Sequence, residues 1–250
     1  MHLAPALRAA IVACIAVLDG MGTKDWSNRM EMKREQSRTL RYVAVAPDGY
    51  DASKSYPTMV MLHGFGANME DLAPLGPMIN PGLLYLCPNA PIEMQLSPWQ
   101  LGYGWTPPRD LNAPEFTRQS EELLWGFMEE AFAKYHVKPG NVVLMGFSQG
   151  GGLTFRCGLP RPEVFPGIAA LCSVVPEETE MRAKLPKERT QKVFVAYGEH
   201  DQLVAPARAH AVKKFLEDAG YPLRFKGYRM GHEISPEVVA DLRAWLGEVL

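Results

Sequence analysis

Seven short aliphatic and β-branched runs alternate along the chain with stretches of helical spacing, and no other feature limits the fold as much. Runs at 42–46, 58–62, 83–86, 141–146, 168–172, 193–197 and 223–228 read as strands. Several are almost continuously apolar, as parallel strands covered on both faces must be. Between 117 and 135, Leu123, Leu124, Phe127, Met128, Ala131, Phe132 and Tyr135 recur at helical spacing. Pro206 opens another helix that Gly220 closes. Ser235 and Pro236 start a last one, which carries Val238, Val239, Leu242, Trp245, Leu246 and Val249. This pattern predicts an α/β fold with a mostly parallel central sheet and helices on both faces. No repeat or Gly/Ser linker divides the chain, so 41–250 is expected to form one domain.

With 250 residues, 47% of them hydrophobic, the chain can bury a sheet between two helical layers. A net charge of −2 and the lack of a long Lys/Arg run give no footprint for nucleic acid. Cys14, Cys87, Cys157 and Cys172 contain no C-x-x-C pair, which points to buried free thiols; no metal site is expected. Residues 1–24 form an apolar segment in which Arg8 precedes a run over 9–18, too short to span a bilayer but as long as a signal-peptide core. Translation starting at Met21 or Met30 is the other reading. A cytoplasmic location is expected, with export the alternative if residues 1–22 act as a signal peptide; no stable membrane span is expected. Residues 25–40 read as a charged lead-in.

Gly146-Phe147-Ser148-Gln149-Gly150 fits G-x-S-x-G, and its context gives the match weight. A buried strand precedes it and a glycine-rich helix start follows, the setting of a nucleophile elbow. A serine hydroxyl attacks a carbonyl only when a base takes its proton. In this architecture an acid and then a histidine follow the serine, each in a loop after a strand. His210 falls inside a helix and His200 comes too early, which leaves His232 as base. Asp201 ends the tight Gly198-Glu199-His200-Asp201 loop and would orient the imidazole; Glu177 and Glu178 are its rivals. Met61-Leu62-His63-Gly64-Phe65-Gly66 leaves a strand through glycines, so Phe65 N–H and Gln149 N–H are expected to hold the oxyanion. His63 lies upstream of the serine and reads as a scaffold for that loop.

These motifs resemble the phospholipase/carboxylesterase family, which includes acyl-protein thioesterases. The resemblance runs from about Arg41 to Leu250. It rests on His63-Gly64-Phe65-Gly66, Pro88-Asn89-Ala90-Pro91, Gly146-Phe147-Ser148-Gln149-Gly150-Gly151, Asp201-Gln202-Leu203-Val204-Ala205-Pro206 and Gly231-His232-Glu233-Ile234-Ser235-Pro236. It implies an α/β-hydrolase fold with little or no cap and cofactor-free hydrolysis of carboxylic esters or thioesters. Ser148, Asp201 and His232 would be the triad, and Phe65 and Gln149 the oxyanion donors.

The segment 91–116 carries Trp99, Tyr103, Trp105 and Phe116 without a clear period and reads as an irregular loop. Its Gly102-Tyr103-Gly104-Trp105 stretch resembles the family's tryptophan-bearing pocket loop, so Trp105, together with Val204, is expected to contact substrate. The expected partner is a small-molecule ester of short to medium acyl chain. A lysophospholipase or acyl-thioesterase would use the same triad. A serine peptidase or acyltransferase would differ only in leaving group or acceptor. A binding protein on a degenerate scaffold would normally have lost a triad member, and none is missing. Oligomeric state is not legible.

Overall fold

The computed structural model describes residues 31–108 and 114–250; Cys14 and the apolar segment 1–24 lie outside the described residues. Ten strands are present among them: β1 (Glu31–Gln36), β2 (Arg41–Ala46), β3 (Thr58–Leu62), β4 (Leu84–Pro88), β5 (Ile92–Ser97), β6 (Gln100–Gly104), β7 (Val142–Phe147), β8 (Gly167–Leu171), β9 (Lys192–Gly198) and β10 (Leu223–Tyr228). Six helices accompany them: α1 (Leu75–Ile79), α2 (Pro114–Lys134), α3 (Gln149–Gly158), α4 (Glu178–Lys184), α5 (Pro206–Asp218) and α6 (Pro236–Leu246).

Eight strands form one sheet in the order β1-β2-β4-β3-β7-β8-β9-β10. Only the β1/β2 and β2/β4 pairs are antiparallel. The strands alternate sides, so the sheet has two apolar faces. Met59, Met61, Val143 and Met145 pack toward α1 and α6, while Val60, Leu62, Val142 and Leu144 pack toward α2, α3 and α5. The mostly parallel, doubly covered sheet agrees with the predicted fold class.

Strand order reverses between β3 and β7: the chain moves outward from β3 to β4, then returns to β7 and proceeds the other way. In open α/β sheets, ligands bind in the crevice at the carboxyl ends of strands at such a switch point. Leu62 pairs with Gly146 there, so the loops after β3 and β7 emerge side by side.

Two expectations need correcting. The charged lead-in contains β1, so the sheet begins ahead of residue 41. Its sequence, Glu31-Met32-Lys33-Arg34-Glu35-Gln36, is exposed along nearly its whole length and lacks the apolar alternation that marks a strand. Charged side chains on an edge strand guard it against pairing with other chains. The supposed irregular loop contains the β5/β6 hairpin, whose register shifts between Gln95 and Ser97 and so blurs the period-two signal. Cys87, Cys157 and Cys172 are buried free thiols. No helix among the described residues is long and apolar enough to cross a membrane.

Candidate active site

Ser148 sits between β7 and α3, at the switch point. Its backbone holds φ 53° and ψ −116°, which a non-glycine residue keeps only under constraint from its surroundings. Ser148 N–H donates to Leu171 O at 2.8 Å, and Ser173 Oγ donates to Ser148 O at 2.7 Å. The following helix packs tightly here: a Cβ at Gly150 would strike the carbonyl oxygens of Leu62 and His63. The Ser148 side chain makes no capping bond to α3, so its hydroxyl is left for a partner outside the helix.

His232 follows β10. Its Nε2 lies 2.8 Å from Ser148 Oγ and its Nδ1 lies 2.7 Å from Asp201 Oδ2. A carboxylate facing Nδ1 fixes the proton on that nitrogen and leaves Nε2 as the acceptor toward serine. Asp201 Oδ1 accepts from Leu203 N–H and Val204 N–H, each at 2.8 Å. Burial alone pushes the Asp201 carboxyl up, but the hydrogen bonds from His232 and from the two backbone N–H groups outweigh it and hold the group below its ordinary value. Asp201 thus stays ionised beside the imidazole. The two loops are tied together, with Glu199 N–H donating to Tyr228 O at 2.8 Å and His200 N–H to Met230 O at 3.0 Å.

Gln149 opens α3, so its N–H has no acceptor within the helix. Phe65 N–H donates to no backbone acceptor among the described residues. The preceding Gly64 lies directly against the serine: a Cβ there would come 3.4 Å from Ser148 Cβ. Phe65 N–H and Gln149 N–H thus have no backbone acceptor on the residues flanking the site, and the latter stands at a helix N-terminus that favours negative charge.

A buried layer braces the β3 loop. His63 Nε2 accepts from Ala90 N–H at 3.0 Å, and its Nδ1 donates to Gly64 O at 2.7 Å. Burial lowers the His63 pKa to about 4, so the ring is neutral with one defined tautomer. Trp105 Nε1 donates to His63 O at 2.9 Å, and Trp105 N–H donates to Gln149 Oε1 at 2.7 Å. Gln149 Nε2 in turn reaches Thr106 Oγ1 at 2.7 Å, so the residue after the nucleophile also anchors the aromatic segment.

Trp105 is consequently not the substrate contact that the sequence suggested. It is 1% exposed, its ring lies 5.6 Å from that of His63, and Ser120 Oγ donates to its carbonyl. Both polar ends of the side chain and backbone are committed inward, which leaves no surface for a ligand. Val204 is also buried, at 7% exposure, and meets the site through its N–H on Asp201. A cleft of about 240 Å³ lies beside the β3 loop, lined by Arg41, Asn68, Met69, Glu70, Asn89, Leu101 and Tyr103.

The rival acids are occupied elsewhere. Glu177 pairs with the buried Arg156, which also holds Glu121 and Glu180, and Glu178 pairs with Arg182 at 2.8 Å. Glu177 is thus an exposed carboxylate whose side chain reaches in to the buried Arg156. Sequence reasoning read Cys172 as a buried free thiol, which it is, but not as a neighbour of the site. Its Sγ, an Asp201 carboxylate oxygen and a His232 ring nitrogen lie within 4.8 Å of one another, a set of atoms able to ligate a metal. Two of the three already share a hydrogen bond. Nothing in a strand-end cysteine announces that neighbourhood.

The family model described as phospholipase/carboxylesterase matches residues 50–250. Acyl-protein thioesterase 1 of Mycosarcoma maydis is 29% identical over 230 residues, covering 79% of this chain and 92% of that one. The carboxylesterase SOBER1 of Arabidopsis thaliana is 32% identical over 110 residues, covering 43% and 48% respectively. Among solved structures, esterase PE8 superposes with a TM-score of 0.75 at 24% identity, covering 85% of this chain and all of that one.

Proposed function

Since the chain belongs to the phospholipase/carboxylesterase family of α/β-hydrolases, we propose that it hydrolyses carboxylic esters of short to medium acyl chain through an acyl-enzyme on Ser148. The observation that carries this reading is the hydrogen-bonded series Ser148–His232–Asp201, at 2.8 and 2.7 Å.

His232 Nε2 takes the Ser148 proton as Oγ attacks the ester carbonyl. The tetrahedral oxyanion forms against Phe65 N–H and Gln149 N–H. The imidazolium, steadied by Asp201, passes the proton to the leaving alkoxide, and the alcohol departs. Water then repeats the sequence on the acyl-enzyme: His232 takes its proton, the hydroxide adds, and Ser148 regains a proton as the acid leaves. The thioester reading has support of its own in the acyl-protein thioesterase relative, and a thiolate leaves from the same intermediate without any change of residues.

A panel of p-nitrophenyl esters of graded acyl length, run beside acyl thioesters and peptides, tests the proposal. The expected result is turnover of short and medium esters that is lost in Ser148→Ala. Turnover that persists in that variant overturns the mechanism, and a marked preference for thioesters replaces the substrate class.

A further inference from the structure

We infer that Cys172 and Ser173, the two residues that follow β8, are positioning residues that set the distance between the Ser148 hydroxyl and the His232 imidazole. The inference rests on the reading of those two side chains as nucleophile and base. Three consecutive residues link the two sides of the site. Leu171 O accepts from Ser148 N–H at 2.8 Å, and Ser173 Oγ donates to Ser148 O at 2.7 Å. Between them, Cys172 Sγ donates to Glu233 O at 3.4 Å, one residue beyond His232.

The backbone makes this possible. Cys172 adopts φ 48°, a left-handed conformation uncommon for a non-glycine residue. Its N–H is pinned to Ala196 O on β9 at 2.8 Å. In a continued strand, successive side chains would also diverge, but both would run on with the sheet. The left-handed turn ends the strand and sends the thiol to the histidine loop and the hydroxyl to the nucleophile. Both residues are buried, at 0% and 4% exposure, so neither side chain faces solvent. Burial, followed by the nearby Asp201 charge, pushes the thiol up to about 12, so it remains a protonated donor beside the carboxylate. The serine and histidine loops leave strands separated by β8 and β9, and the residues after β8 reach both, alongside the Phe147–His232 ring contact at 4.9 Å.

The experiment compares Cys172→Ala, Cys172→Gly, Cys172→Ser and Ser173→Ala with the unaltered full chain. The glycine variant is central because glycine accepts φ 48° freely and so deletes the thiol without penalising the backbone. Two readouts are taken, the second-order rate of fluorophosphonate labelling with kcat and KM for an ester, and the far-downfield proton resonance of the His232–Asp201 hydrogen bond. Expected are about a tenfold loss of labelling rate and kcat in the Ala and Gly variants and in Ser173→Ala, with KM within about twofold. Cys172→Ser, which keeps a donor, recovers most of the loss. The downfield proton shifts or broadens in Cys172→Ala and Cys172→Gly and stays in Ser173→Ala, which perturbs only the serine side. Wild-type labelling rates and an unchanged resonance in Cys172→Gly overturn the inference. An unaltered protein that fails to label at Ser148 overturns the hydrolase reading instead, and the resonance still decides whether Cys172 holds the histidine.

Discussion

The two sides of the candidate site are built on different principles. On one side, Ser148, Asp201 and His232 leave the carboxyl ends of β7, β9 and β10, neighbours in one parallel sheet apart from the intervening β8. Their positions follow from strand register and from short loops whose backbones are bonded to one another. On the other side, the β5/β6 hairpin lies outside the main sheet and is moored through Gly66 N–H to Tyr103 O and Tyr103 N–H to Ala67 O. Within that hairpin region the two tryptophans have opposite fates: Trp105 is 1% exposed and Trp99 is 95% exposed. The candidate triad is thus placed by strand ends, whereas the hairpin beside it is an insert whose inner half is core and whose tip is exposed.

If the strand-end side carries the chemistry alone, its variants should lose rate without losing fold. Ser148→Ala is expected to lower kcat by about 10⁶ and abolish fluorophosphonate labelling, with an unchanged melting temperature. Asp201→Asn should cost about 10⁴ in kcat, because the histidine loses the acceptor that fixes its tautomer. Glu177→Gln and Glu178→Gln should stay within a few-fold in kcat, since both carboxylates face arginines rather than the imidazole. A dead Glu177 or Glu178 variant beside an active Asp201→Asn would break the assignment.

The hairpin side should behave in the opposite way. Trp105→Ala removes a buried indole that bonds His63 O, and is expected to cost about 3–5 kcal/mol of stability. Its rate loss should be uniform across esters of every length, because the ring braces the β3 loop rather than touching an acyl chain. Trp99→Ala should leave the melting temperature where it is. A selective change in chain-length preference in Trp105→Ala, with stability intact, would return that residue to the pocket.

This contrast also marks how much was legible in the sequence. Parallel strands buried on both faces must be apolar, so 58–62 and 142–147 announce themselves, and the residues after them inherit their positions from the sheet. Ser148, Asp201 and His232 were read in that way, and the structure brings their side chains together. β1 was hidden because an edge strand exposed on both faces needs no apolar residues. Trp105 was misjudged because an aromatic side chain in an irregular segment looks the same whether it faces a ligand or His63. Nothing in the local sequence of Cys172 and Ser173 places them at the site, since that depends on a backbone turn and on partners 61 and 25 residues away.

The brace under the β3 loop has a pH signature. His63 is neutral in the folded protein, with a pKa lowered to about 4 by burial, whereas the unfolded chain titrates near 6.5. Between those values the unfolded state binds the extra proton, so stability is full above about 6.5 and falls as pH drops toward 4, by up to about 3 kcal/mol. Asp201 works in the same direction at lower pH: its carboxyl is held below the ordinary value, so its contribution stands above that value and is lost as pH falls through the folded one. Urea midpoints measured from pH 7.5 to 4 should therefore fall, and His63→Gln should flatten the upper part of that slope. An equal slope in the variant would place the titrating group elsewhere.

The smallest expected effect sharpens the comparison most, because it asks what the free half of the hairpin does. Leu101 is 44% exposed and lines the cleft with Met69 and Tyr103, beside the loop that carries Phe65. Removing its isobutyl group exposes no core and breaks no hydrogen bond, so Leu101→Ala should leave the melting temperature and the fluorophosphonate labelling rate unchanged. An acyl chain that rests on this side chain loses contact area in proportion to its length, about 1 kcal/mol for each methylene that Leu101 would have covered. The ratio of kcat/KM for a six-carbon ester over a two-carbon ester should then fall by about fivefold, while the two-carbon value stays constant. A constant ratio with both values unchanged would show that the acyl chain does not enter this cleft, and the hairpin would be a wall without a share in specificity.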